Sequence, residues 1–260
     1  MTQFENLKIE ITEEGIAVIH LDRPPVNALS IGFAGQIRAA IMELSDNKDM
    51  RCIILASANP KGWCGGADVN DFKVSLPPGC NTPVGQSIMN ILEQSPLPII
   101  AAINGYCLGG GLELALSCDI RIVADNAKIG LPEANLSLIA AWGGITRLPW
   151  LIGEGNAKRL FYTADRVSGQ EAYELGIAQK CVPVENLMDE AMALAKVIAS
   201  KAPASIAGAK RVMYEARRAV FGASLLAEAQ YCWSSRAHPE DIAEGGRAFA
   251  EKRTPVFKNR

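Results

Sequence analysis

Two glycine-bearing segments, each ending in or followed by a carboxylate, hold the residues best suited to chemistry in this 260-residue chain. The first is Gly62-Trp-Cys-Gly-Gly-Ala-Asp68, and the second runs Asn104-Gly-Tyr-Cys-Leu-Gly-Gly-Gly-Leu-Glu-Leu-Ala-Leu116. In the second, an apolar β-run from Ile99 to Ile103 enters a glycine triplet and leaves as an apolar helix, which presents bare backbone N–H groups at a helix start. Glu113 sits between Leu112 and Leu114, on a helix apolar enough to be buried nearly all round. A buried carboxylate without a partner is costly or shifts its pKa, and such a group is usually kept for chemistry. A second carboxylate, Glu133, lies in Ile129-Gly-Leu-Pro-Glu-Ala-Asn-Leu136, just past a strand and a proline, where a turn or helix start is expected. As ordinary structure, Glu133 would be a first-turn glutamate favoured by the helix dipole. Glu113 would be the polar face of an amphipathic helix, a reading its leucine neighbours oppose.

Backbone donors combined with carboxylates suit one kind of reaction. Two N–H groups can hold a carbonyl oxygen on which negative charge develops, as in an enolate, each contributing about 2.7–4 kcal/mol. Two carboxylates can move protons to and from the adjacent carbons, each giving on the order of 10²–10⁴-fold. Other chemistries lack their residues. Neither G-x-G-x-x-G nor G-x-x-x-x-G-K-[ST] occurs, so the glycines are no nucleotide fingerprint. No G-x-S-x-G is present. His20 lies inside the apolar strand Ile16 to Leu21 and reads as packed, and His238 precedes a proline at a helix break and reads as a cap or surface residue. A Ser-His-Asp triad is therefore not expected.

The elements that must position these groups read as β/α. Residues 7–11 and 16–21 flank Glu13-Glu14-Gly15 as a hairpin. Ser30 N-caps a helix to about Ser45, with Ile31, Ile37, Ile41 and Leu44 on its apolar face. Arg51 to Ser57 reads as a buried strand, Ser75 to Gly85 as a loop, and the residues after it as a helix to about Gln94. Ile99 to Asn104 and Asp119 to Ala124 read as further strands, and short strands alternating with helices favour an α/β fold. After about residue 185 strand signals vanish. Three helical stretches are expected at 185–200, 203–219 and 222–252, the last broken near His238-Pro239. The expected organisation is a core of residues 1–200 carrying the site and a helical region of residues 201–260 that packs on it or on another subunit.

Composition excludes several partners. Hydrophobic residues make up 49% and charged residues 21%, ordinary for a globular chain with a sizeable core. A formal net charge of −2 and a pI near 5.8 argue against nucleic acid or an anionic membrane surface as main partner. No apolar run approaches the roughly 20 residues needed to cross a bilayer. The start, Met-Thr-Gln-Phe-Glu-Asn, lacks the regions of a signal peptide. Seven scattered cysteines without a C-x-x-C pair read as reduced thiols with no zinc site, in a cytoplasmic compartment.

Taken in order, the motifs resemble the crotonase (enoyl-CoA hydratase/isomerase) superfamily over nearly the whole chain. The segments that carry the likeness are Leu21-Asp-Arg-Pro-Pro-Val-Asn-Ala-Leu29, Trp63-Cys-Gly-Gly-Ala-Asp-Val69, Pro98 through Ala115, and Leu131-Pro-Glu-Ala134. Gly143-Gly-Ile-Thr-Arg-Leu148, Ala172-Tyr-Glu-Leu-Gly-Ile177 and Phe249-Ala-Glu-Lys-Arg-Thr-Pro255 complete it. The resemblance implies a spiral of ββα turns with a C-terminal helical trimerisation region, trimers or hexamers, and an acyl-CoA thioester as substrate. No metal is implied, and no cofactor apart from coenzyme A as part of the substrate. By position, the Ala67 and Gly110 N–H groups would form the oxyanion hole, with Gly66, Asp68 and Gly109 beside them in substrate binding. Glu113 and Glu133 would match the two hydratase glutamates, the first as base toward water and the second as proton donor to the α-carbon. Phe249 and Lys252 match positions that touch the adenosine part of coenzyme A, often across a subunit boundary.

Two departures bear on the substrate. Where many hydratases have Pro-Gly-Ala-Gly-Gly, this chain has Ala140-Ala-Trp-Gly-Gly144. Ala141 would still offer its N–H to the water, while Trp142 either packs in the core or touches the acyl chain. Asn70-Asp71 replaces the frequent Lys-Glu. The resemblance favours an enoyl-CoA hydratase, a lyase. An isomerase, or a hydratase of a branched or cyclic acyl group, stands second. A non-catalytic RNA-binding or scaffold member stands third, and the charge balance speaks against it.

Overall fold

The computed structural model describes residues 2–68, 70–71, 81–235 and 239–258. In chain order the elements are β1 (Leu7–Ile11), β2 (Ile16–Leu21), α1 (Ile31–Asp46), β3 (Cys52–Ser57), β4 (Gly62–Cys64), α2 (Asn81–Gln94), β5 (Ile99–Ile103), β6 (Tyr106–Leu108) and α3 (Gly110–Leu116). They continue as β7 (Ile120–Ala124), β8 (Lys128–Gly130), a 3-10 helix (Pro132–Leu136), α4 (Gly144–Ile152), α5 (Glu154–Thr163), β9 (Arg166–Ser168), α6 (Gly169–Leu175) and β10 (Lys180–Val182). Three helices close the chain: α7 (Leu187–Ala199), α8 (Pro203–Ser235) and α9 (Pro239–Glu251).

A β strand, a second β strand and a helix repeat as a unit. In β3-β4-α2 and β5-β6-α3, the first strand joins a six-stranded sheet and the second a four-stranded one; β7 and β8 divide in the same way. The larger sheet runs β1-β2-β3-β5-β7-β10, antiparallel only at the β1–β2 hairpin. The smaller runs β4-β6-β8-β9, with Tyr106 opposite both Gly62 and Lys128. Successive turns therefore stack like a coil and place the strand ends after β4, β6 and β8 side by side. Residues following those ends meet in space, which brings the two glycine segments and Glu133 together.

Parallel strands covered on both faces must be apolar throughout. Ile99–Ile103 is buried at every residue, as is most of β3. One core fills the space between the sheets and under α1, α2 and α3, and a second lies between the larger sheet and α7. α1 begins as its sequence dictates, with the Ser30 side chain accepting from the Phe33 N–H at 3.1 Å and Phe33, Ile37, Ile41 and Leu44 turned inward.

Two expected boundaries differ. α2 begins at Asn81, inside the segment read as loop, because asparagine, proline and glycine fit a helix's first turn, where N–H groups have no intrahelical partner. Residues 75–80 of that loop, and His238, lie outside the described residues. α8 is one helix through 220–221, although Gly222 costs about 1 kcal/mol in a helix interior. Its contacts with α2 and α4 hold it, and buried Lys210 donates to Leu92 O at 3.0 Å, Leu97 O at 2.8 Å and Asp119 Oδ2 at 2.7 Å.

Candidate active site

The loop before α1 sets the first backbone donor. Asn27, fully buried and left-handed at φ 51°, donates its amide to Ser57 Oγ at 2.8 Å and Trp63 O at 3.0 Å, and its Oδ1 accepts from the Arg23 N–H at 2.7 Å. Residues 26–29 then run beside 65–68, with Gly65 N donating to Val26 O, Leu29 N to Gly66 O and Asp68 N to Leu29 O. N–H groups along such an edge alternate in direction, so the Ala67 N–H faces away from this pairing. Asp68 is occupied in holding the turn: it accepts from the Asn70 N–H at 3.0 Å and pairs with Arg23 at 2.7 Å. These contacts, the Asn70 N–H foremost, keep its carboxyl below its usual range.

The glycine triplet sets the second donor. Gly109 turns the chain from β6 into α3 at φ 54°, where a side chain would be strained and its Cβ would meet Glu133 Oε1 at 2.8 Å. A Cβ on Gly111 would strike Cys64 O at 2.4 Å, so α3 packs on β4 only because that Cβ is missing. Between them, a Cβ on Gly110 would lie 3.2 Å from Ala67 N. The two main-chain amides therefore border one small space. Gly110 N, at the first helical position, has no intrahelical acceptor.

Glu133 Oε1 faces Gly109, and Glu113 follows Gly110 by about one turn of α3. Glu113 is 3% exposed, and its Oε1 accepts from Trp142 N at 2.7 Å and Gly144 N at 2.9 Å. Burial, then the charges of Glu133 and Glu228, push its carboxyl well above the usual range, against the pull of the Gly144 and Trp142 N–H groups. Glu133 lies in the first turn of the 3-10 helix, and its Oε2 is buried with no partner among the described residues. Burial pushes its carboxyl up to about 7. The Glu133 charge thus adds to the cost of ionising Glu113, as like charges do.

The turn 140–144 is where this chain departs from the hydratase pattern, and it is firmly held. Arg147, 2% exposed, donates to Trp142 O at 3.1 Å and pairs with buried Glu93 at 2.7 Å. Gln86 donates to Ala141 O at 3.0 Å. Ala141 is buried. The Trp142 indole lies over Gly85 and Gly110: a Cβ on the first would sit 2.3 Å from the ring, and on the second 2.9 Å. Between Leu29, Ala67, Gly85 and this ring only about 10 Å³ is open. A larger cavity of about 840 Å³ opens on the Glu133 side, walled by Leu131, Leu138, Ile139, Ile145 and Phe161.

Of the residues expected at the site, Gly66, Ala67, Gly109 and Gly110 pack together, Glu133 faces Gly109, Trp142 covers Gly110 and donates to Glu113, and Ala141 lies next to Trp142 in the turn. Phe249 and Lys252 lie exposed at the end of α9 and line neither cavity. Glu93, Arg147 and Glu228 were missed. Glu93 and Glu228 each sit in an apolar helical stretch, the signal that singled out Glu113. Among the described residues no group of three or more His, Cys, Asp or Glu could hold a metal ion. No helix there is long and apolar enough to cross a membrane.

Two sheets wound as one coil, with paired amides and paired acids at their strand ends, define a crotonase-type enzyme. Residues 11–260 match the family described as enoyl-CoA hydratase/isomerase. A crotonyl-CoA hydratase of Syntrophomonas wolfei is 34% identical over 260 residues, covering 98% of each chain. The crystal structure of an enoyl-CoA hydratase from Bacillus anthracis superposes with a TM-score of 0.79 at 36% identity, over 98% of this chain and 100% of that one. That of a carnitinyl-CoA hydratase from Mycobacterium avium gives 0.85 at 30% identity, over 99% and 100%. The chain belongs to the enoyl-CoA hydratase/isomerase family.

Proposed function

We propose that the protein adds water reversibly to a trans-2-enoyl-CoA, giving the 3-hydroxyacyl-CoA. The observation that carries this reading is the close approach of the Ala67 and Gly110 backbones, with Glu133 Oε1 against Gly109 and buried Glu113 about one helical turn beyond Gly110. The thioester carbonyl oxygen accepts from both N–H groups. Glu113, ionised, takes a proton from water as the water oxygen bonds to C3, and the Ala141 N–H helps hold that water. The C2=C3 electron pair moves onto the carbonyl as an enolate, stabilised by about 2.7–4 kcal/mol per amide. Protonated Glu133 then gives its proton to C2. Glu113 ends protonated and Glu133 ionised, and one proton passing between them resets the pair. Dehydration runs the same steps backward.

Two acids suit hydration, whereas shifting a double bond needs one well-placed base, and so hydration is favoured over isomerisation. The relatives named crotonyl-CoA and enoyl-CoA hydratase support the same reading. We extend it to a cytoplasmic homotrimer or homohexamer in which residues 201–260 provide the subunit contacts. Phe249 and Lys252, exposed at the end of α9, would then serve the adenosine end of coenzyme A bound next door. The test is loss of the conjugated-thioester absorbance when crotonyl-CoA meets the enzyme. Glu113→Gln and Glu133→Gln should each slow it by at least about 10²-fold, and rates within a few-fold of the parent would dismiss the assigned roles.

A further inference from the structure

A third carboxylate faces the cavity that Glu133 opens onto. Glu228 reaches from α8 and is 4% exposed; its Oε1 accepts from the Thr146 N–H at 2.6 Å, while its Oε2 is buried with no partner among the described residues. The Thr146 hydroxyl, on a residue 6% exposed, also has no partner at hydrogen-bond distance among the described residues, though it lies near enough to the Glu228 carboxyl to pull against the effect of burial. Both residues line the 840 Å³ cavity together with Glu133. Its other walls are mostly aliphatic and aromatic, with Glu154, Lys158 and Ser224 as the remaining polar lining. Gly144 and Thr146, two residues apart at the start of α4, donate respectively to Glu113 and Glu228. One helix start thus fixes the distance between the base and this third acid.

A buried hydroxyl and a carboxyl oxygen left without partners are unfavourable unless something binds them. Neither is used in the hydration steps. Alkenoyl chains, which offer no hydrogen bond, would leave both atoms unsatisfied. A hydroxyl on the chain satisfies both at once, since it accepts from the Thr146 O–H and donates to Glu228 Oε2. Burial pushes the Glu228 carboxyl above its usual range, and a hydroxyl partner adds no charge that must itself be desolvated.

We infer that Thr146 and Glu228 form a polar subsite in the acyl cavity, selecting acyl thioesters whose chain carries a hydroxyl beyond the reacting carbons. The inference rests on the proposed hydratase reading for the orientation of the acyl chain. Two saturated thioesters of equal length, 5-hydroxypentanoyl-CoA and hexanoyl-CoA, differ by a hydroxyl in place of a methyl and need no catalysis. Calorimetric binding to the full-length protein should favour the hydroxylated one by about tenfold or more, the equivalent of 1.4 kcal/mol. Thr146→Val, nearly isosteric, should remove most of that preference, and Glu228→Leu should abolish or invert it while Glu228→Gln retains part. Equal or tighter binding of hexanoyl-CoA by the parent, or a preference that survives Thr146→Val, overturns the subsite. Turnover of trans-2-hexenoyl-CoA is read alongside. Hydration without hydroxyl preference sinks the subsite and leaves the hydratase reading standing. Hydroxyl preference without hydration does the opposite.

Discussion

Alanine at position 110 should separate activity from stability. The backbone there is helical and needs no positive φ, so the substitution costs no strain and gains up to about 1 kcal/mol of helix preference. The new methyl would lie 2.9 Å from Trp142 Cζ3, 3.1 Å from Cε3 and 3.2 Å from Ala67 N. The ring must give by a few tenths of an ångström, which offsets the helix gain and leaves the melting temperature near the parent's. An oxygen accepting from both amides sits about 2.9 Å from each nitrogen, and a carbon 3.2 Å from Ala67 N occupies much of that volume. Losing one donor's worth of stabilisation, about 2.7–4 kcal/mol, lowers the rate by on the order of 10²–10³. Gly111→Ala is the contrasting control. Its methyl would meet the Cys64 carbonyl at 2.4 Å, a backbone atom that cannot step aside, so that variant should lose stability. The measurement is crotonyl-CoA hydration followed by absorbance, paired with thermal unfolding. Gly110→Ala retaining a rate within threefold of the parent at an unchanged melting temperature would refute the oxyanion assignment.

Four further outcomes follow from the same geometry. The pH profile of kcat/KM should be bell-shaped, because hydration needs one acid protonated and the other ionised, and Glu133→Gln should erase one limb. Glu133 has its folded pKa raised from 4.5 to about 7, so the stability it contributes is present at low pH and lost as pH rises through that window; the melting temperature of Glu133→Gln relative to the parent should climb between those values. Glu93→Ala strands the buried Arg147 charge and should cost about 3–5 kcal/mol by denaturant unfolding, and pairing it with Arg147→Met should recover much of the loss. Trp142→Ala opens the space beside Gly85 and Gly110, so its kcat/KM for longer enoyl chains should rise relative to crotonyl-CoA in a chain-length series.

Much of this was legible in the chain. The Gly15 hairpin, the Ser30 cap and the unbroken apolar runs at 52–57 and 99–103 each declare their structure through a local rule. Glu113 declares itself by contradicting one, a charge where only apolar residues belong. What stayed hidden is non-local. β4, β6, β8 and β9 have three residues each, too few for any periodicity, yet they form the sheet that gathers the site. The continuity of α8 through Gly222 rests on contacts with α2 and α4, which outweigh one glycine's cost. Arg147 reads as a routine basic residue until Glu93, 54 positions away, is seen against it.

Lys210 and Glu228 both belong to α8, and both end inside the preceding structure, one on Leu92, Leu97 and Asp119, the other on Thr146. On the ribosome, then, the coil of strands is complete in sequence before it can be sealed. Between residue 200 and the end of α8 at Ser235 lie 35 residues, an interval of about 2–7 s at ordinary translation speeds. During that delay the nascent chain carries bare carbonyls and an open apolar seam, a window in which chaperone capture competes with closure.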